Sequence, residues 1–97
     1  MLTSKQRAKL ASLATKLDPI VRLGRAGAAE GVSAALDKAL EDHELVKMRF
    51  VDFKGERTEL ARGLAEATRS ELVRVIGNVA VYYRQQPDPE RRSIQLD

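Results

Sequence analysis

The stretch Ile20-Val21-Arg22-Leu23-Gly24-Arg25-Ala26-Gly27, continuing into Ala28-Ala29-Glu30-Gly31-Val32, decides how this chain is organised. Ile20 to Leu23 is short, apolar and β-branched, follows Pro19 and is closed by Gly24, so it reads as a buried strand. Val32, Ala35, Leu36, Ala39 and Leu40 then recur at helical spacing and predict a helix from about Ala29 to Asp42. A strand handed to a helix through a glycine loop is one βα unit, and it points to an α/β protein.

Upstream, Thr3 followed three places later by Gln6 is a capping-box start, and Leu10, Leu13, Ala14 and Leu17 share one helical face. A first helix from Ser4 to Leu17 is expected, stopped by Pro19. Downstream, Leu45 to Phe53 alternates, with Val46, Met48 and Phe50 on one side and Lys47 and Arg49 on the other, which predicts a half-exposed strand. Lys54-Gly55 makes a turn into a third helix from about Thr58 to Thr68, burying Leu60 and Leu64 with Ala61 and Ala65 alongside. Leu72 to Ile76 and Val79 to Arg84 flank Gly77-Asn78, a two-residue hairpin connection. The order α-β-α-β-α-β-β implies a small mixed four-stranded sheet packed with three helices, its strand-helix-strand steps being parallel, right-handed crossovers. Residues 1–84 are expected to form one domain. Gln85 to Asp97 is polar, carries Pro87 and Pro89, and reads as a flexible tail of which Ser93 to Leu96 is the part able to dock.

Composition narrows the chemistry. Ninety-seven residues support a single core. With 43% hydrophobic and 32% charged residues the chain should fold. The absence of cysteine removes disulfides, thiolate metal sites and cysteine nucleophiles, and fits a reducing cytoplasm. The longest run without a charge, Val75 to Tyr83, is too short to span a bilayer, so no membrane partner is expected. Met1 to Leu17 is basic and free of acids, as transit peptides are, but lysine outweighs arginine and no small-residue cleavage region follows.

His43 is the only histidine, and it fits the end of the second helix, where histidine meets the last carbonyls. His43-Glu44 begins like a zinc-protease helix, but Lys47 occupies the place of the second histidine. Gly24, Gly27 and Gly31 match neither the dinucleotide fingerprint nor the Walker loop. No acid and base pair is singled out, so no catalytic residue, no cofactor, no metal and no small-molecule substrate is expected.

The net charge is only +3, but it is unevenly spread. Residues 1–27 hold Lys5, Arg7, Lys9, Lys16, Arg22 and Arg25 against Asp18, while residues 28–44 hold Lys38 against Glu30, Asp37, Glu41, Asp42 and Glu44. Such a dipole offers one face to phosphates. Gly24-Arg25-Ala26-Gly27 lies where backbone amides and a helix start favour an anion, and Arg25 adds a fork for phosphate oxygens. The same spacing also suits a tight turn built on glycines with positive φ. Lys5, Lys9, Ser12 and Lys16 fall on one side of the first helix, Lys47 and Arg49 on one side of their strand, and Arg84 ends the hairpin. Of the four aromatics Phe50 belongs in the core and one of Tyr82 and Tyr83 is expected to face out.

These residues resemble a known family. Leu17-Asp18-Pro19-Ile20-Val21 with Leu23-Gly24-Arg25-Ala26-Gly27 is similar to the "L-x-P-V-V-x-L-G-x-x-G" segment of the CRM domain (chloroplast RNA splicing and ribosome maturation) in its stand-alone bacterial YhbY-type form. Glu30-Gly31-Val32, His43-Glu44-Leu45-Val46-Lys47, and Val75-Ile76-Gly77 with Val81-Tyr82-Tyr83-Arg84 resemble its later blocks in the same order. The resemblance implies a fold like the C-terminal domain of translation initiation factor three. It further implies a non-enzymatic RNA-binding protein that associates with large-subunit ribosomal RNA precursors and assists ribosome assembly. It carries RNA contact onto Gly24, Arg25 and Gly27 in the GxxG loop, and onto Lys47 and Arg84 by motif position. Arg22 and Arg49 rest on physics alone, as do Ala26, Lys5, Lys9 and Lys16. Asn78 departs from the basic residue usual in that turn, and Tyr82 from the usual leucine. The expected partner is RNA, bound by a monomer. The alternative is a protein-interaction adaptor using the acidic stripe Glu30, Asp37, Glu41 and Glu44 with an exposed sheet edge; a phosphometabolite enzyme built on the glycine loop lacks an acid or base.

Overall fold

The computed structural model describes residues 2–24, 29–51 and 56–96. Among these, the elements are α1 (Ser4–Ala14), β1 (Val21–Leu23), α2 (Ala29–His43), β2 (Leu45–Phe50), α3 (Arg57–Thr68), β3 (Glu71–Ile76) and β4 (Val79–Tyr83), followed by a short 3-10 helix at Pro89–Arg91. The predicted order of three helices and four strands holds.

α1 begins as its capping box dictates, with the Gln6 amide donating to the Thr3 hydroxyl and the Thr3 amide to the Gln6 side chain. It ends at Ala14 rather than Leu17. The Thr15 hydroxyl donates to the Ser12 carbonyl at 2.7 Å, and the amides of Thr15, Lys16 and Leu17 reach back only three residues, so the helix tightens and stops.

The sheet order is β1-β2-β4-β3. β1 pairs parallel with β2, while β4 pairs antiparallel with both β2 and β3. The β1-α2-β2 step therefore joins adjacent parallel strands as expected. The β2-α3-β3 step joins strands of like direction that are not neighbours, because the hairpin returns β4 between them. This placement suits β4, whose uncharged Val79-Ala80-Val81-Tyr82-Tyr83 is buried or half-buried throughout.

Helices cover both faces. α2 and α3 lay Leu36, Leu40, Ala61 and Leu64 on Val21, Leu23, Val46, Met48, Phe50 and Tyr82. On the opposite face, Leu10 and Ala14 of α1 pack with Leu45, Val73, Val81 and Tyr83, and Ile94 and Leu96 of the carboxy-terminal segment join them. The expectation that one tyrosine faces out is thereby corrected: Tyr82 is 0% and Tyr83 5% exposed, since a central strand covered on both sides has no outer face. The Tyr82 hydroxyl donates to the Ala61 carbonyl at 3.0 Å, and burial pushes its phenol well above the usual range.

The acidic stripe is also corrected, at Glu44. This residue follows α2 with φ 61, donates its amide to the Leu40 carbonyl at 3.1 Å, and turns its side chain inward to 2% exposure. There the carboxylate accepts the amides of Gln86 (2.9 Å), Ser93 (2.7 Å) and Ile94 (3.1 Å) and the Ser93 hydroxyl (3.1 Å). Burial alone would raise its pKa, but these hydrogen bonds together outweigh burial and hold the carboxyl below the usual range.

Candidate nucleic-acid interface

The strand register decides which cations meet. Arg22 of β1 is opposite Arg49 of β2, Arg49 is opposite Val79 of β4, and Val79 is opposite Ile76 of β3. Side chains at matched register share a face, so these four make one row across the sheet. A second row runs Lys47, Val81, Arg74. Both rows lie on the face carrying α1, since Val21 and Leu23 on either side of Arg22, and Met48 and Phe50 around Arg49, are buried under α2 and α3. α1 covers one end of that face at Leu45, Val73, Val81 and Tyr83. The early stop at Ala14 leaves the rest open: Arg22, Arg49 and Arg74 are exposed and Ile76 is 58% exposed.

Where the two regions meet, a cleft of about 220 Å³ is lined by Ala11, Ala14 and Thr15 of α1 and by Lys47, Arg74, Ile76, Val79 and Val81 of the sheet. No carboxylate among the described residues lines it. Among the described residues Arg22, Arg49 and Arg74 have no ion-pair partner. Lys47 donates to the Leu17 carbonyl at 2.9 Å, which orients the ammonium without neutralising it.

Several cations elsewhere are committed. The Arg84 guanidinium donates to the Asp37 carboxylate at 2.6 Å and to the carbonyls of Thr68 (2.8 Å) and Asp37 (3.0 Å), with Glu41 at 3.7 Å. Arg91 also meets Glu41, and Lys38 meets Asp42. Asp37 and Glu41 of the acidic stripe are thus turned to arginines of this same chain. Arg7 donates to the carbonyls of Leu72 (2.6 Å) and Val73 (3.1 Å) on the outer strand β3, which blunts that sheet edge. Lys9 donates to the Gln95 carbonyl and Lys5 is exposed. Lys16 lies beyond the end of α1, so it leaves the helical line of Lys5 and Lys9 and lines a separate cleft with Leu17, Ile20 and His43.

Gly24 extends the open face to one end of the sheet. The Val51 amide donates to the Leu23 carbonyl and the Phe50 amide to the Asn78 carbonyl, both at 2.8 Å, so Gly24, Val51 and the Gly77-Asn78 turn share that end. Gly77 has φ 57, as its turn requires, whereas Gly24 has no left-handed φ and a Cβ there would meet nothing within 4 Å. Nothing among the described residues therefore requires glycine at position 24. Arg25, Ala26 and Gly27 lie outside the described residues.

Sequence reasoning missed Arg74. Strict alternation from Leu72 would put Arg74 on the helix-covered face, but a register shift between the two turns it to the open one. An arginine at a position that alternation assigns to the core was the available signal for a bulge. Among the described residues, no group of three or more His, Cys, Asp or Glu side chains is placed to hold a metal ion.

Comparison with known proteins agrees with this architecture. The profile of the CRS1/YhbY (CRM) domain matches residues 2–84. A probable RNA-binding protein of Pseudomonas aeruginosa is 36% identical over 91 residues, 93% of this chain and 88% of its own length. A probable RNA-binding protein of Bacillus subtilis is 34% identical over 97 residues, 99% of each chain. The solution structure of a Staphylococcus aureus protein proposed to bind RNA superposes with a TM-score of 0.82 at 41% identity, covering 98% of this chain and 100% of that one. A whole-domain match in sequence and fold makes this chain a member of the CRS1/YhbY (CRM) domain family.

Proposed function

We propose that this protein binds RNA, that its target is ribosomal RNA of the large-subunit precursor in the cytoplasm, and that it assists ribosome assembly as a monomer without catalysing a reaction. The observation that carries the reading is the convergence of Arg22, Lys47, Arg49 and Arg74 on one half-face, around a cleft that no described carboxylate lines, in a chain that pairs Arg84, Arg91 and Lys38 with acids. An unneutralised cation cluster beside backbone that a phosphate can approach closely is suited to nucleic acid. The relatives named as RNA-binding proteins support the same reading.

The test is a titration of precursor large-subunit RNA fragments and of duplex DNA at low and moderate salt. Binding should favour RNA, weaken as salt rises, and weaken further in Arg25→Glu and Arg49→Glu. Lys38→Glu on exposed α2 is the control, because Asp37 holds Arg84 and its reversal would disturb the fold. Equal losses in the control would overturn the assignment of the face.

A further inference from the structure

We propose that the open half-face accepts unpaired RNA rather than a duplex, with bases laid on Ile76 and Val79 and the backbone held by the flanking cations. This rests on the reading of the face as an RNA site and specifies what form of RNA it takes.

The composition of the two rows carries it. A duplex presents phosphates, hydroxyls and groove edges, and a surface built for it needs cations and polar groups throughout. Here the cations stand at the margins, Arg22 and Arg49 on β1 and β2 and Arg74 on β3. The part beyond them is aliphatic: half-buried Val79 on β4, next to the buried Val81, and Ile76 at 58% exposure on β3. Against a duplex this aliphatic surface would lose water without gaining a partner of its own kind. A single strand offers both components at once, a charged backbone for the cations and apolar base faces that can lie in van der Waals contact with exposed aliphatic side chains. The cleft beneath α1, with Ala11, Ala14 and Thr15 as its wall, gives one base a second surface to lie against. Among the described residues this floor carries no aromatic side chain and no hydrogen-bonding group aimed at a base edge other than Thr15, Lys47 and Arg74, so it favours no base strongly.

The test uses a labelled, mixed-sequence RNA of about ten nucleotides, a length within the range single-strand platforms engage, unpaired and annealed to its complement. The full chain should bind the unpaired form more tightly by roughly fivefold or more, and Ile76→Ser, which keeps every charge, should remove most of that preference. Ile76 lies on the surface, so the substitution leaves the core intact. Independently, 4-thiouridine in the unpaired RNA should cross-link the wild-type protein within the peptide carrying Ile76 and Val79. Equal affinity for the two forms, or cross-links confined to α2 and α3, would overturn the proposal. A loss on Arg49→Ala with none on Ile76→Ser would overturn it while sparing the RNA-binding reading. Failure of the wild type to bind either form would overturn both.

Discussion

The buried carboxylate of Glu44 and the backbone amide of Ser93 meet at 2.7 Å across 49 residues of chain. A residue with positive φ at a helix end is usually glycine; here the strain of a glutamate is offset by four hydrogen bonds that fasten the carboxy-terminal segment to the domain.

Glu44→Ala should lower stability by about 2 to 3 kcal/mol, because it strips three amides of a charged acceptor. The pH dependence has a definite sign. The folded-state pKa lies below the ordinary 4.5, so the contribution is present above that value and is lost as pH falls through the folded pKa. In urea titrations, the stability gap between wild type and Glu44→Gln should be widest near neutrality and narrow below about pH 4.5. A gap that is constant with pH would mean the carboxylate's charge is irrelevant.

Arg84 ties β4 to α2 and to the end of α3 through Asp37 and Thr68. Arg84→Ala should destabilise by about 1 to 2 kcal/mol, a figure held down by screening at the 61% exposed Asp37. Arg84→Lys should recover little, since one ammonium lacks the fork that reaches these acceptors together. RNA affinity, measured where each variant is folded, should fall less for Arg84→Ala than for Arg49→Ala. The reverse order would make Arg84 the stronger RNA contact.

Much of this architecture is legible in the chain. The apolar stripe of α2, the alternation of β2 and the Gly77-Asn78 turn are local patterns, and local patterns survive folding. What the sequence conceals is non-local. The insertion of β4 between β2 and β3 depends on which strands pair, and that central place, with helices on both faces, buries both tyrosines. The attachment of the carboxy-terminal segment uses backbone amides, which every residue possesses, so the sequence marks Ser93 to Leu96 as able to dock but not Glu44 as the group that holds them. The site divides in the same way. Arg22, Lys47 and Arg49 are readable as exposed by strand parity, but their meeting on one half-face follows from register, Arg74 joins them through a bulge, and the salt bridge of Arg84 is made with a helix distant in sequence.

Arg22 and Arg49 are adjacent in parallel strands at matched register, where like charges are unfavourable. Arg49→Thr should therefore raise stability by about 0.2 to 1 kcal/mol, threonine also being a good strand residue. The same variant should bind RNA more weakly, with the slope of log affinity against log salt reduced by about one. Thermal melting and salt-dependent titration of a single preparation read both effects. Unchanged RNA affinity alongside higher stability would leave the arginine pair without a role in binding.

Gly24 and Gly77 offer a paired test of why each glycine is there. Gly77 occupies φ 57, so Gly77→Ala should cost about 1 kcal/mol through backbone strain alone. Gly24 has no left-handed φ and open space where a Cβ would project, so Gly24→Ala should leave stability unchanged or raise it by up to about 1 kcal/mol as the unfolded chain loses freedom. If RNA backbone approaches the sheet end at this point, the added methyl group stands in its way, and affinity should drop although the protein is no less stable. That combination distinguishes a ligand's requirement for glycine from the fold's own. A Gly24→Ala variant that binds RNA as tightly as the wild type would move the close approach away from this end of the sheet, leaving the cationic rows as the sole contact on it.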